Sequence, residues 1–176
     1  MTEAVIFDLD GTLIDLPMDY KWLFKEAKKI LKKENVQPLL ATIAKASEEQ
    51  KRELFKTWDK IELAALSKVT LIEEGMTEYK RVSQKPKALV TMQGKALAQV
   101  VLERFSLSFS VAVTREDSID RTKQLQTAIQ KLEASPKNVL FVGNEDHDEK
   151  AAKKVGCMFW RIGKRKSGMT PLQANT

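Results

Sequence analysis

The residues that could do chemistry stand just after short apolar runs. Asp8 and Asp10 close the run Ala4-Val5-Ile6-Phe7 and lead into the turn pair Asp10-Gly11. Thr91 closes Ala88-Leu89-Val90. Arg115, Arg121 and Lys123 follow Ser110-Val111-Ala112-Val113, and Asn144, Glu145, Asp146 and Asp148 follow Val139-Leu140-Phe141-Val142-Gly143. Phosphoryl transfer needs a carboxylate nucleophile, an acid/base partner, oxygen ligands for a hard cation and donors for phosphate oxygens. If these strand ends converge, they supply all four. The alternative for Asp8 and Asp10 is a turn whose aspartates only bond nearby amides. For Thr91 it is an ordinary strand-end threonine.

Elements that bring those positions together follow from the hydrophobic rhythm. After Pro86 the chain alternates short apolar strands with helical segments: strands at 88–91, 110–113, 139–142 and 157–162, and helices from Lys95 to Arg104, from near Ser118, and through Ala151 and Ala152. Ser118 is the expected cap of the second helix. Such alternation implies an α/β fold with a parallel sheet covered on both faces, whose ligand sits beyond the carboxyl ends of the strands. Between Pro17 and about Val82 the pattern is helical, as in Leu54, Trp58, Ile61 and Ala65. Breaks are expected near Asn35 to Pro38 and near Gly75.

Composition narrows the partners. The chain has 176 residues, 43% hydrophobic and 31% charged, as expected for a protein with a real core. No apolar run approaches the roughly 18 residues that span a bilayer, so neither membrane insertion nor export is expected. Cys157 is the only cysteine, so no internal disulfide forms and a reducing cytoplasm is the expected location. The only histidine, His147, excludes multi-histidine metal sites. A net charge of +6 suits either nucleic acid or a small anionic substrate. Lys21, Lys25, Lys28 and Lys32 recur at helical spacing, with Leu23, Ala27, Ile30 and Leu31 on another face, the pattern of a solvated face. Gly163-Lys164-Arg165-Lys166 is basic but has no aromatic platform beside it, so no nucleic-acid partner is expected.

Asp8-Leu9-Asp10-Gly11-Thr12-Leu13 resembles the first motif of the haloacid dehalogenase-like hydrolases. Ala88 to Thr91 resembles their second motif, and Val139 to Gly156 their fourth. The resemblance implies a Rossmann-like parallel-sheet core over 1–15 and 86–176, with an inserted α-helical cap over 16–85. It implies a magnesium-dependent phosphatase acting on a small phosphorylated metabolite. Asp8 would be the nucleophile that forms an aspartyl-phosphate. Asp10 would protonate the leaving oxygen and later activate water, with its backbone carbonyl on Mg2+. Thr91 would donate to the phosphate, and Asp8, Asp10, Asn144 and Asp148 would form the metal site.

Two departures bear on this. The family has Asp where this chain has Asn144, which removes a charge from the metal site. Its third motif has a lysine followed by proline, whereas this chain reads Asp120-Arg121-Thr122-Lys123-Gln124. Arg121 or Lys123 would neutralise phosphate charge there, unless both belong to a solvated helix start. A mutase shares the same intermediate. A dehalogenase is disfavoured by Asp10, because a halide leaves without a proton. The alternative from another class is a catalytically weakened member with a binding or regulatory role. The sequence leaves the oligomeric state open.

Overall fold

The structure is a computed structural model that describes residues 2–163. In chain order its elements are β1 (Ala4–Phe7), β2 (Ile14–Asp15), α1 (Tyr20–Leu31), α2 (Leu39–Ala44), α3 (Glu48–Ala65), β3 (Thr70–Leu71), α4 (Glu73–Arg81), β4 (Lys87–Val90), α5 (Lys95–Arg104), β5 (Val111–Val113), α6 (Arg121–Lys131), β6 (Val139–Gly143), α7 (Asp146–Val155) and β7 (Met158–Arg161). The parallel sheet runs in the order β5-β4-β1-β6-β7. Strand order reverses at β1, which pairs with β4 on one side and β6 on the other. A crevice opens at the carboxyl ends of strands at such a point, and Asp8 is the first residue after β1.

Successive residues of a strand face opposite ways, so β1 serves two cores. Val5 and Phe7 join the cluster with Leu89, Val142, Leu97 and Val101. Ala4 and Ile6 face Phe141, Leu125, Ala128 and Ala151 on the other side. Every residue of β1 is buried, as a central parallel strand requires.

The helices α1, α2 and α3 share a third cluster of Leu23, Ala27, Leu39, Leu54, Trp58 and Ile61, to which the β5–α6 connection adds Ile119. The short antiparallel ribbon of β2 and β3 joins the start and end of this insertion through Ile14↔Leu71 and Asp15↔Thr70. Met76 and Tyr79 of α4 pack instead on the sheet cluster that holds Phe7. Lys21, Lys25, Lys28 and Lys32 are exposed, while Leu23, Ala27 and Leu31 are buried, so the lysine stripe is a solvated face. Among the described residues no helix is long and apolar enough to cross a membrane. Of the basic segment at the end of the chain, Lys164, Arg165 and Lys166 lie outside the described residues.

Of three local expectations, the two breaks are met and the cap of α6 needs correction. The breaks near Asn35 to Pro38 and near Gly75 are both present, the second as β3 and Ile72 just before α4, in which Gly75 is the third residue. A Cβ there would stand 1.8 Å from the Thr12 carbonyl oxygen, so glycine serves close approach rather than helix termination. The cap of α6 is Asp120, whose carboxylate accepts from Thr122 N at 2.8 Å and Lys123 N at 3.3 Å. Ser118 Oγ accepts from Asp120 N at 3.1 Å and shapes the turn before it.

Candidate active site

Asp8 N donates to Val142 O at 2.9 Å, extending the β1–β6 ladder by one residue before the chain turns. The Leu9 carbonyl then accepts from Leu13 N at 2.8 Å and Ile14 N at 3.1 Å, folding the loop tightly. Gly11 sits in this turn at φ +80°, and a Cβ on it would lie 2.2 Å from Asn144 Nδ2. Both the left-handed backbone and the close approach of the β6 loop therefore demand glycine.

Asp8 is buried, and its Oδ1 accepts from Arg121 Nη2 at 2.9 Å. Burial pushes its carboxyl well above the usual range; Arg121 pulls it down and Asp148 pushes it up. Asp10 Oδ1 accepts from Leu16 N at 2.9 Å, so one of its oxygens does bond a nearby amide. Burial, with the charges of Asp15 and Glu62 beside it, still pushes Asp10 up to about 7.

Arg121 is the first residue of α6, and its buried side chain reaches the carboxyl end of the central strand β1. Its Nε lies 2.9 Å from Asp148 Oδ1, an ion pair without hydrogen-bond alignment, and its Nη1 donates to Gln124 Oε1 at 2.8 Å. One cation thus joins the end of β1 to the first turn of α7. Lys123 is exposed, two residues further round the helix from the buried face of Arg121, Gln124 and Leu125, and is not brought to Asp8. Gln124 Nε2 donates to Thr91 O at 2.8 Å, Ser118 O at 2.8 Å and Thr114 O at 3.2 Å, fastening the loops after β4 and β5 to α6. Its place three residues beyond Arg121, on the face of Leu125 and Ala128, was the available signal.

Thr91 is fully buried; its hydroxyl donates to Gln93 Oε1 and accepts from Gln93 N at 3.1 Å. Asp148 is fully buried too, with Oδ2 accepting from Glu145 N at 3.2 Å and His147 Nε2 standing 3.2 Å from Oδ1. Both of its oxygens are therefore engaged by protein groups. A Cβ on Gly143 would come within 2.7 Å of Asp148 Oδ2, so the glycine that ends β6 makes room for this carboxylate. Asn144 Oδ1 accepts from the Thr12 hydroxyl at 3.3 Å, and Asn144 Nδ2 donates to Glu145 Oε1 at 3.3 Å. Arg115, expected with the site cations, instead pairs with Glu62 and Asp59 of α3.

Among the described residues no three acidic, histidine or cysteine side chains are grouped to hold a metal. The Asn144 side chain rests against Gly11, in the loop that follows Asp8. A carboxylate on Asp8, the Asp10 carbonyl and the Asn144 amide oxygen are donors that fit magnesium by type.

The family model described as haloacid dehalogenase-like hydrolase matches residues 5–162. The chain is 28% identical over 184 residues to Pyrophosphatase PpaX of Bacillus thuringiensis (strain Al Hakam), covering 90% of this chain and 84% of that protein. Its fold resembles that of a HAD hydrolase, family IA, variant 3, from Entamoeba histolytica, with a TM-score of 0.70 at 18% identity over 94% of this chain and 86% of that one. A candidate phosphoglycolate phosphatase from Lactobacillus plantarum gives 0.61 at 20% identity over 90% and 86% of the two chains.

Proposed function

This chain belongs to the haloacid dehalogenase-like hydrolases, and on that premise we propose that it is a magnesium-dependent phosphatase acting through an aspartyl-phosphate on Asp8. The observation that carries the reading is the pairing of Asp8 Oδ1 with Arg121 at 2.9 Å, two residues before a carboxyl pushed up to about 7.

The chemistry follows from those residues. Arg121 favours the ionised form of Asp8, which attacks phosphorus as the bond to the ester oxygen breaks. Asp10, protonated near neutral pH, gives its proton to the departing oxygen. It then takes a proton from the water that attacks the aspartyl-phosphate, releasing phosphate and restoring Asp8. Thr91 donates its hydroxyl to a phosphate oxygen after exchanging it from Gln93. Magnesium, held by Asp8, the Asp10 carbonyl and Asn144, would supply positive charge opposite the phosphate oxygens. The helices α1 to α3, between β2 and β3, serve as the cap that keeps water from the intermediate, while α4 packs on the sheet.

The substrate class proposed is a small phosphorylated metabolite in the cytoplasm. The name of the pyrophosphatase relative adds a phosphoanhydride to the compounds to be tried. A second reading, a weakened member that binds without turning over, is favoured by Asn144 and by the closed Asp8–Arg121–Asp148 contact. Phosphate release from an aryl phosphate, inorganic pyrophosphate and a metabolite phosphate panel, with and without magnesium, separates the two. Turnover that needs magnesium supports the phosphatase; none with any compound rejects it.

A further inference from the structure

Away from the catalytic carboxylates, the insertion meets the sheet domain through a buried ion pair. Arg115, in the loop after β5, and Glu62, on α3, both have fully buried side chains, and Arg115 Nη1 donates to Glu62 Oε1 at 2.8 Å. Asp59, one helical turn before Glu62, pairs with Arg115 Nη2. The guanidinium also stacks over the Trp58 ring at 4.3 Å and lies 5.3 Å from the centre of Phe55. Burying a charge pair is costly and adds little stability over apolar packing, so its contacts point to a further role.

Those contacts converge on one loop. Arg115 Nη1 also donates to Met92 O at 3.0 Å, and Glu62 Oε2 accepts from Gly94 N at 3.0 Å. Met92 and Gly94 flank Gln93, whose side chain and amide both hold the Thr91 hydroxyl. The loop lies hard against the pair: a Cβ on Gly94 would stand 2.0 Å from Asp59 Oδ1 and 2.5 Å from Arg115 Nη2.

We propose that Glu62 and Arg115 are positioning residues for Thr91, clamping Met92 and Gly94 so that the phosphate-binding loop takes its shape only when the insertion is seated on the sheet. This rests on the phosphatase reading for the role of Thr91, but not for the clamp itself. Through it, one carboxylate on the insertion couples closure of the site to formation of the phosphate pocket. An insertion that lifts away takes Glu62 with it and frees the Gly94 amide.

Two variants test this: Glu62→Gln, and Glu62→Met combined with Arg115→Met, in which an apolar pair replaces the ions and keeps the interface packed. Thermal melting, hydrogen exchange at the Gly94 amide and affinity for inorganic phosphate are measured on each. The double variant is expected to melt near the wild-type temperature, to exchange the Gly94 proton at least about tenfold faster, and to bind phosphate roughly tenfold more weakly. Glu62→Gln, which keeps an oxygen for Gly94 but loses the charge, is expected to show smaller changes in the same directions. A folded variant with wild-type Gly94 protection and phosphate affinity would overturn the proposal, whichever of the two it is. Exchange is read without substrate. A wild-type protein that hydrolyses no phosphate ester therefore defeats the phosphatase reading, and the clamp is still judged at Gly94.

Discussion

Arg121 Nη2 donates to Asp8 Oδ1 at 2.9 Å while Arg121 Nε stands 2.9 Å from Asp148 Oδ1, so a single buried guanidinium links the end of β1 to the first turn of α7. Removing it leaves two buried carboxylates facing each other. Arg121→Ala should cost about 3–5 kcal/mol of stability, the usual penalty for stripping one partner from a buried ion pair. Arg121→Lys keeps the charge but not the fork that reaches two acids at once. It should melt closer to the wild type, yet lose roughly tenfold or more in kcat/KM as Asp8 becomes less well fixed. Melting curves and steady-state kinetics on both variants check this.

Asn144 tests the metal site. Its side chain lies against Gly11 and is held only by bonds of 3.3 Å, so a carboxylate fits the same space. Asn144→Asp should lower the magnesium concentration for half-maximal activity, by about tenfold if the residue is a ligand. Magnesium titration of activity measures it, and an unchanged midpoint removes Asn144 from the metal shell.

Gly75 makes a prediction whose sign opposes helix propensity. Alanine inside a helix is ordinarily better than glycine by about 1 kcal/mol. Here the added methyl carbon would meet the Thr12 carbonyl oxygen at 1.8 Å. Gly75→Ala should therefore lower the melting temperature, and should reduce activity as well by displacing the loop that follows Asp8 and Asp10.

The same glycine marks a limit of sequence reading. The glycine locates the break that lies three residues ahead of it, but nothing local reveals the backbone oxygen packed against it from 63 residues away. The strands of the sheet were legible, since buried parallel strands are nearly continuous apolar runs and their ends expose Asp8, Thr91 and Asn144. The choice between Arg121 and Lys123 was not, because it turns on where α6 begins. Once Asp120 is the cap, Arg121 faces the sheet and Lys123 faces solvent. Glu62 was missed because an acid in an amphipathic helix reads as surface. Its place four residues after Trp58, on the stripe of Leu54, Trp58 and Ala65, was the sign that it is buried.

Protons on Asp8 and Asp10 should make the metal-free protein less stable as pH rises. Burial raises both carboxyls, Asp10 to about 7 from an ordinary value of 3.8. The folded state thus keeps protons that the unfolded chain releases above about pH 4. The stabilisation these groups contribute is complete at low pH and is lost as pH climbs through the folded values. Melting temperature without magnesium should fall from about pH 4 to about pH 8 and level off above that. Magnesium, which binds the ionised forms, should raise it more at pH 8 than at about pH 6. Melting series at fixed ionic strength, with and without the ion, measure both slopes.

The central claim is that phosphate passes through Asp8. Rapid quenching of the protein mixed with a phosphate-labelled substrate and magnesium, followed by peptide mapping, tests it most directly. The label should appear transiently on the peptide that carries Asp8 and be absent from Asp8→Asn, which should also release no phosphate. Phosphate release that continues in Asp8→Asn would contradict the mechanism.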